Sequence, residues 1–125
     1  MITKEDVLKL HHLSIEKYGG AHGIRDEGLL DSAIARPYQT FGGENVYSTV
    51  FEQAAAFAES LIINHPFVDG NKRTGFLVMF ALLRINNIIL TAAEDSAYDL
   101  AINISTGHAK FDEILTWLKN NNQSL

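Results

Sequence analysis

The sequence predicts one mainly helical domain of about six helices, with a polar loop between two core helices. Apolar residues recur at helical spacing over most of the chain, and glycine and proline separate those stretches. No internal repeat, linker or low-complexity segment divides the chain. With 125 residues, 46% of them hydrophobic and 20% charged, the chain is large and apolar enough for one core. The expected domain therefore spans 1–125.

Capping residues delimit the first two helices. Thr3 and Asp6 have the spacing of a capping box before a helix that should end at Gly19-Gly20. Asp26 is placed to cap a second helix, and Pro37 should end it because proline cannot continue a helical hydrogen-bond ladder.

The middle of the chain contains the polar loop. Residues 37–47 lack a helical period and predict a loop or small hairpin, and a third helix is expected from Ser48. Residues 65–71 form the polar loop. A fourth helix should run from Asn71 or Lys72 to residue 87, and its apolar run leaves no polar face, which predicts a central buried helix.

The last third predicts a short extended stretch and two more helices. Ile88 to Leu90 should be extended, and Thr91 with Glu94 resembles a second capping box opening a helix that ends near Gly107. A last helix contains Phe111, Ile114, Leu115 and Leu118. The Asn-rich tail is expected to fray.

Composition excludes several function classes. No cysteine is present, so disulfides, thiolate metal sites and a cysteine nucleophile are excluded. The net charge of −5 and the scattered cations argue against direct nucleic acid binding. The start lacks a signal-peptide pattern, and the longest apolar run, from Gly75 to Leu83, is too short for a bilayer. We expect a soluble cytoplasmic protein with no membrane partner.

The segment from His65 to Gly75 carries most of the chemical information. It precedes an apolar helix, whose first amides favour a bound anion. Gly70 permits a tight turn around a ligand. Asp69 is a hard oxygen ligand of the kind Mg²⁺ uses, or the N-cap of the fourth helix, or both through different carboxylate oxygens.

Three further side chains suggest a phosphate cradle. Asn71 can donate to a phosphate oxygen, or it can satisfy amides of the loop. Lys72 and Arg73 place two cations at a helix start, where the helix dipole disfavours them, so a bound anion explains them better than solvent does.

His65 is the candidate general base, because imidazole accepts a proton near neutral pH. A zinc site formed by His65 and Asp69 is disfavoured, since Pro66 and Gly70 argue against a helix there and a third ligand at matching spacing is missing. The other four histidines are interpreted as structural or solvated: His11, His12, His22 and His108.

The eleven residues from His65 to Gly75 resemble the signature of the Fic/Doc superfamily, His-x-Phe-x-Asp/Glu-Gly-Asn-Gly-Arg. They are most similar to the death-on-curing (Doc) branch, in which lysine precedes the arginine. The resemblance covers roughly residues 6–120. It also includes these segments: Tyr18-Gly19-Gly20, Gly23-Ile24-Arg25-Asp26, Gly28-Leu29-Leu30-Asp31-Ser32-Ala33 and Arg36-Pro37.

The resemblance implies an all-α Fic fold and transfer of part of a nucleotide to a protein hydroxyl. It makes His65 the base and Asp69 the Mg²⁺ ligand, with ATP as co-substrate and Phe67 anchoring the loop. The phosphate-binding residues it implies are Gly70, Asn71, Lys72 and Arg73. The segment 37–47 corresponds to a target-docking flap, with these residues at its tip: Phe41, Gly42, Gly43 and Glu44.

Two departures from the adenylylating pattern distinguish the chemistries. Lys72 replaces the second glycine, and Phe76 replaces a second arginine that holds the distal phosphates. Doc-type toxins share both features. They bind ATP inverted, phosphorylate a threonine of elongation factor Tu and arrest translation. Gly70 instead follows the adenylylating consensus, although other members of the Doc branch share it.

The resemblance also bears on regulation. Residues 40–45 fit the Ser/Thr-x-x-x-Glu-Gly/Asn expression of an inhibitory helix, but Gly42-Gly43 makes a helix improbable and Phe76 cannot pair with the glutamate. Restraint by a separate Phd-like antitoxin that covers the site is expected instead. Adenylyl or nucleotidyl transfer and a non-catalytic nucleotide- or protein-binding module are the alternatives to a kinase.

Overall fold

A computed structural model describes residues 1–125 and confirms the all-helical class. The six α-helices are α1 (Lys4–Tyr18), α2 (Glu27–Ala35), α3 (Val50–Asn64), α4 (Asn71–Ile85), α5 (Glu94–Ser105) and α6 (Phe111–Asn120). A 3₁₀ turn covers Arg36–Tyr38. The short strands form two antiparallel pairs, β1 (Thr40–Phe41) with β2 (Glu44–Asn45) and β3 (Ile88–Leu90) with β4 (Asn122–Ser124). No helix combines the length and the apolar character needed to cross a bilayer.

Helices α3 and α4 form the centre of the molecule and hold the polar loop between them. Residues 54–58 of α3 are all fully buried. The two helices approach closely at Gly75, where an added Cβ would lie 2.7 Å from Cγ1 of Ile62. Helix α4 is central, as the sequence predicted, but it is not buried on every side, because Phe80 is 38% exposed.

The first part of the chain follows the predicted boundaries. Thr3 and Asp6 form the expected capping box, and the Asp26 carboxylate accepts a hydrogen bond from the Leu29 amide at 2.9 Å. Residues 40–45 form a hairpin whose two turn residues, Gly42 and Gly43, both have positive φ. This is the turn chemistry that a two-residue hairpin favours, so the segment is not a helix.

Three expectations about element ends were wrong. Helix α3 begins at Val50 rather than at Ser48, and the hydroxyl of its N-cap, Thr49, accepts from the Glu52 amide. Thr91 and Glu94 form no capping box, because Ala93 occupies the N-cap position. The tail does not fray: β4 pairs with β3, whose half-buried residues would otherwise leave their backbone groups without partners.

Candidate active site

The polar loop begins with a sharp turn at His65. This residue ends α3 in the left-handed conformation, with φ 52° and ψ 52°. Such a conformation is uncommon outside glycine and needs support from its surroundings. Arg25 gives that support: its Nε donates to the His65 carbonyl at 2.6 Å and its Nη2 donates to the Asn64 carbonyl at 2.9 Å.

The segment before α2 forms a wall along the loop. The amides of Arg25 and Asp26 both donate to the Pro66 carbonyl, at 2.7 and 3.0 Å. The Val68 amide donates in turn to the Gly23 carbonyl at 3.0 Å. The loop backbone is thus fixed on this side without any regular secondary structure.

Phe67 is the core anchor of the loop, as the sequence predicted. Its side chain is fully buried and stacks on the imidazole of His11, with ring centroids 3.8 Å apart. Nε2 of His11 donates to the Asp69 carbonyl at 2.9 Å, so one buried histidine holds two loop residues. Burial lowers the pKa of His11, which favours the neutral imidazole that this hydrogen bond uses.

The side chain of Asn71 clamps the loop from within. Its Oδ1 accepts from the Phe67 amide and its Nδ2 donates to the Phe67 carbonyl, both at 3.0 Å. Of the two roles considered for the carboxamide, the structure shows the satisfaction of loop amides. The role of Asn71 in binding phosphate, which stays a prediction, falls to its backbone amide.

Asp69 is exposed and is not the N-cap of α4. Gly70 occupies that position and gives no side-chain cap. The Asp69 carboxylate accepts from two backbone amides, Ala21 at 3.2 Å to Oδ2 and Gly70 at 2.8 Å to Oδ1. Those two hydrogen bonds, and then the charge of Arg73, lower the pKa of Asp69, so the group is an anion at neutral pH.

The start of α4 leaves backbone donors available. The first helical hydrogen bond runs from the Thr74 amide to the Gly70 carbonyl, which leaves the amides of residues 71–73 without helical partners. Gly70 has φ +77°, and an added Cβ there would lie 3.0 Å from Cδ1 of Ile15. Glycine therefore allows the turn that exposes these amides.

The two cations of the motif differ in freedom. The Lys72 side chain is exposed, and its ammonium group makes no hydrogen bond or ion pair within the chain. Arg73 is held: its Nη2 donates to the Gly19 carbonyl at 2.8 Å, and its guanidinium lies 5.5 Å from the centre of the Tyr18 ring. A planar cation held in this way is already oriented for an anion, while Lys72 can adjust to one.

His65 and the start of α4 line one polar cavity of about 230 Å³. Its lining residues are His65, Val68, Asp69, Gly70, Asn71, Lys72 and Arg73. Nδ1 of His65 lies 3.1 Å from the Ile62 carbonyl, which can only accept, so Nδ1 carries the proton. In the neutral imidazole, Nε2 is then the nitrogen without a proton, and it is the atom placed to act as a base.

A second, apolar groove of about 570 Å³ adjoins the cavity and shares Lys72 and Arg73 with it. Its other lining residues are Tyr18, Phe76, Leu77, Glu94, Ala97, Tyr98, Ala101 and Ile102. Phe76 packs edge-on against Trp117, with ring centroids 6.3 Å apart. The position that holds distal phosphates in the adenylylating pattern is therefore part of an aromatic contact.

The Asp69 carboxylate and its surroundings fit a magnesium ion. Mg²⁺ prefers one or two carboxylates and completes its octahedron with waters and phosphate oxygens. The Asp69 carboxylate is exposed, anionic and oriented by backbone amides, and it lines the polar cavity. An added Cβ at Gly20 would lie 2.7 Å from Oδ2 of Asp69, so glycine is needed beside this carboxylate.

The structure brings the predicted catalytic, phosphate-binding and metal residues into one cavity, and Phe67 lies beneath it. The flap residues are separate from this lining. Phe41 is 85% exposed at the hairpin, and the docking role of residues 41–44 stays a prediction.

Sequence reasoning left His11 as structural or solvated, and it gave Arg25 no supporting role. His11 falls at helical spacing between Val7 and Ile15, which are both buried, and that spacing was a usable signal of a buried histidine. Arg25 gave no such signal, because its partners are carbonyls of residues 39 and 40 positions away.

Comparison with known proteins agrees with this geometry. Residues 1–83 match the family model described as "Fic/DOC family". The chain is 39% identical to "Toxin Doc" of Mycolicibacterium smegmatis over 115 residues, which cover 90% of this chain and 86% of that protein. It is 28% identical to "Protein kinase doc" of Escherichia phage P1 over 118 residues, covering 94% and 92%. This chain, which holds its polar loop between α3 and α4, belongs to the Fic/Doc family.

Proposed function

We propose that this chain is the toxin of a toxin–antitoxin pair and transfers the γ-phosphoryl group of ATP to a hydroxyl of a target protein. One observation carries the proposal. His65, whose Nδ1 contacts the Ile62 carbonyl, lines the same cavity as the unpaired amides and the two cations at the start of α4. The relatives named as a toxin and as a protein kinase support it.

The proposed phosphoryl transfer needs only a few protein groups. The target hydroxyl oxygen bonds to the γ-phosphorus, the bond from that phosphorus to the bridging oxygen breaks, and ADP leaves. Nε2 of His65 takes the hydroxyl proton. The amides of residues 71–73, with Lys72 and Arg73, hold the phosphate oxygens. Mg²⁺ bound at Asp69 would neutralise phosphate charge.

Phosphoryl transfer is favoured over adenylyl transfer by the surroundings of residue 76. Phe76 packs on Trp117 and offers no donor to distal phosphates. Lys72 occupies the helix start beside the free amides. We infer that the nucleotide is bound with its γ-phosphate toward His65.

Labelled ATP distinguishes the two chemistries. The protein is incubated with purified elongation factor Tu, and separately with lysate, using ATP labelled at the α- or the γ-phosphate. We expect label only from the γ-phosphate, on a threonine of the translation factor. Label from the α-phosphate alone would establish adenylyl transfer and overturn the kinase proposal. Labelling of another protein from the γ-phosphate would correct the target only.

A pair of histidine variants tests the role of His65. His65→Ala should lower transfer by about 10²–10⁴, the usual effect of removing a general base. The control, His108→Ala, changes an exposed histidine outside the cavity and should keep full activity. Growth arrest that survives His65→Ala unchanged would favour a non-catalytic binding module.

We further propose that the apolar groove binds the antitoxin, a Phd-like protein, through an amphipathic helix. Helices of that kind are recognised by grooves of this character. Because the groove and the cavity share Lys72 and Arg73, a helix seated there reaches the edge of the catalytic cavity. ATP and translation factors as reactants place the activity in the cytoplasm.

A further inference from the structure

A cluster of three metal-ligating side chains lies outside the catalytic cavity. His12 and Glu16 are one helical turn apart on α1, and His22 projects from the loop that follows. Nε2 of His22 lies 3.1 Å from Oε1 of Glu16, and Nε2 of His12 lies 3.8 Å from the same oxygen. One ligand atom from each residue lies within 4.8 Å of the others.

We propose that His12, Glu16 and His22 bind a divalent transition-metal ion of the Zn²⁺ type. Two imidazoles and one carboxylate are a common three-ligand set for zinc, with water in the fourth position. Tetrahedral zinc separates its ligand atoms by about 3.3 Å, so two of the distances given above are near the bound geometry. All three side chains are exposed, so an ion from solvent can reach them.

A metal bound at these three residues would restrain the loop that carries His22. Residues 19–23 contain three glycines with positive φ, so this segment has little conformational restraint of its own. Its backbone contacts the motif at three points: Gly19 to Arg73, Ala21 to Asp69 and Gly23 to Val68. A metal that ties His22 to α1 would hold this wall of the catalytic loop in place.

Zinc titration of the full chain, with any histidine tag removed, tests the proposal. Calorimetry with ZnCl₂ should show one ion per chain. His12→Ala and His22→Ala should each weaken binding by about ten-fold or more, since even outer-shell changes at zinc sites cost that much. His108→Ala is the matched control, an exposed histidine outside the cluster, and should bind as the wild type does.

Amide exchange tests the consequence. Zinc should slow hydrogen exchange in residues 19–23 of the wild type and leave it unchanged in His22→Ala. No zinc binding, or binding that both cluster variants keep while His65→Ala loses it, would overturn the proposed site. Zinc binding at the cluster without slower exchange would retain the site and overturn its link to the loop. Neither result bears on phosphoryl transfer.

Discussion

The polar loop is held mainly by single side chains that bind its backbone. Arg25 donates to the carbonyls at the His65 turn, His11 donates to the Asp69 carbonyl, and Asn71 binds both backbone groups of Phe67. These bonds satisfy loop groups that no helix or strand could pair. The cavity side of the loop therefore keeps the His65 imidazole and the Asp69 carboxylate available for chemistry.

Phe67→Ala should destabilise the protein by about 3–5 kcal/mol, because the ring is fully buried and its removal leaves a cavity. Urea unfolding measures this free energy. Phe41→Ala is the matched control: Phe41 is 85% exposed and should cost under about 0.5 kcal/mol. Equal losses in the two variants would contradict the anchor role.

The stability of the fold should fall with acid through His11. Its folded pKa lies below the ordinary value near 6.5, so the unfolded chain takes the proton first. This contribution is complete above about pH 6.5 and is lost as pH falls from there toward the folded pKa. Asp6 and Asp69 also have lowered pKa values, and their contributions to the stability of the fold are lost only below about pH 4.

Comparison with His11→Phe isolates that contribution, since phenylalanine keeps a ring against Phe67. The difference in unfolding free energy between wild type and variant, measured by urea at pH 8 and pH 5, should shrink at pH 5. A difference independent of pH would show that His11 titrates alike in the folded and unfolded states.

Asp69→Asn tests the metal role of the carboxylate. The carboxamide keeps an oxygen for one backbone amide but loses the negative charge that Mg²⁺ requires. We expect a higher Mg²⁺ concentration for half-maximal transfer and a similar melting temperature. Asp99→Asn, an exposed aspartate on α5 outside the cavity, is the control. An unchanged Mg²⁺ titration would leave Asp69 with a purely structural role.

At the scale of elements, the contact of α3 with α4 positions both ends of the catalytic loop. Gly75 has no room for a methyl group beside Ile62, so Gly75→Ala should cost about 1–3 kcal/mol by overpacking despite the better helix propensity of alanine. Adding Ile62→Ala supplies the missing space. The double variant should therefore lose less stability in urea unfolding than the sum of the two single variants. If the stability losses of the two single variants simply added up in the double variant, Gly75 and Ile62 would not be in steric contact.

The local signals in the sequence account for most elements. Capping chemistry located α1 and α2, and the paired glycines located the hairpin. The same reasoning failed at Thr91, where the capping-box pattern with Glu94 is present but Ala93 is the N-cap. It also failed at the tail, which pairs with a strand more than thirty residues earlier. Local patterns carry no information about such distant partners.

For the polar loop, too, part of the outcome was predictable from local sequence and part was not. The residue types from His65 to Arg73 indicated an anion site with a base, and the structure brings them into one cavity. The sequence left the roles of Asp69 and Asn71 open. The structure places Gly70 rather than Asp69 at the N-cap and shows the Asn71 carboxamide bound to Phe67, which depends on the three-dimensional path of the loop. The metal role of Asp69 and the phosphate role of Asn71 stay predictions.

At the scale of the whole molecule, the proposed catalytic cavity and the groove proposed to bind the antitoxin share two cations, Lys72 and Arg73. This arrangement predicts that the two functions can be separated by mutation. Ala101 lines the groove, and it lies on α5, none of whose residues lines the cavity. A tryptophan there should fill the groove and exclude a helix while leaving His65 and the start of α4 unchanged.

Ala101→Trp should therefore phosphorylate the target at the wild-type rate and resist neutralisation by the cognate antitoxin. Binding of the purified antitoxin, measured by calorimetry, should weaken by about ten-fold or more, since an indole in the groove displaces a buried anchor of the partner. Asn103→Trp is the control, because Asn103 is exposed on the same helix outside the groove. If the antitoxin neutralised Ala101→Trp as well as it does the control, the antitoxin would bind elsewhere and the groove would be free for another ligand.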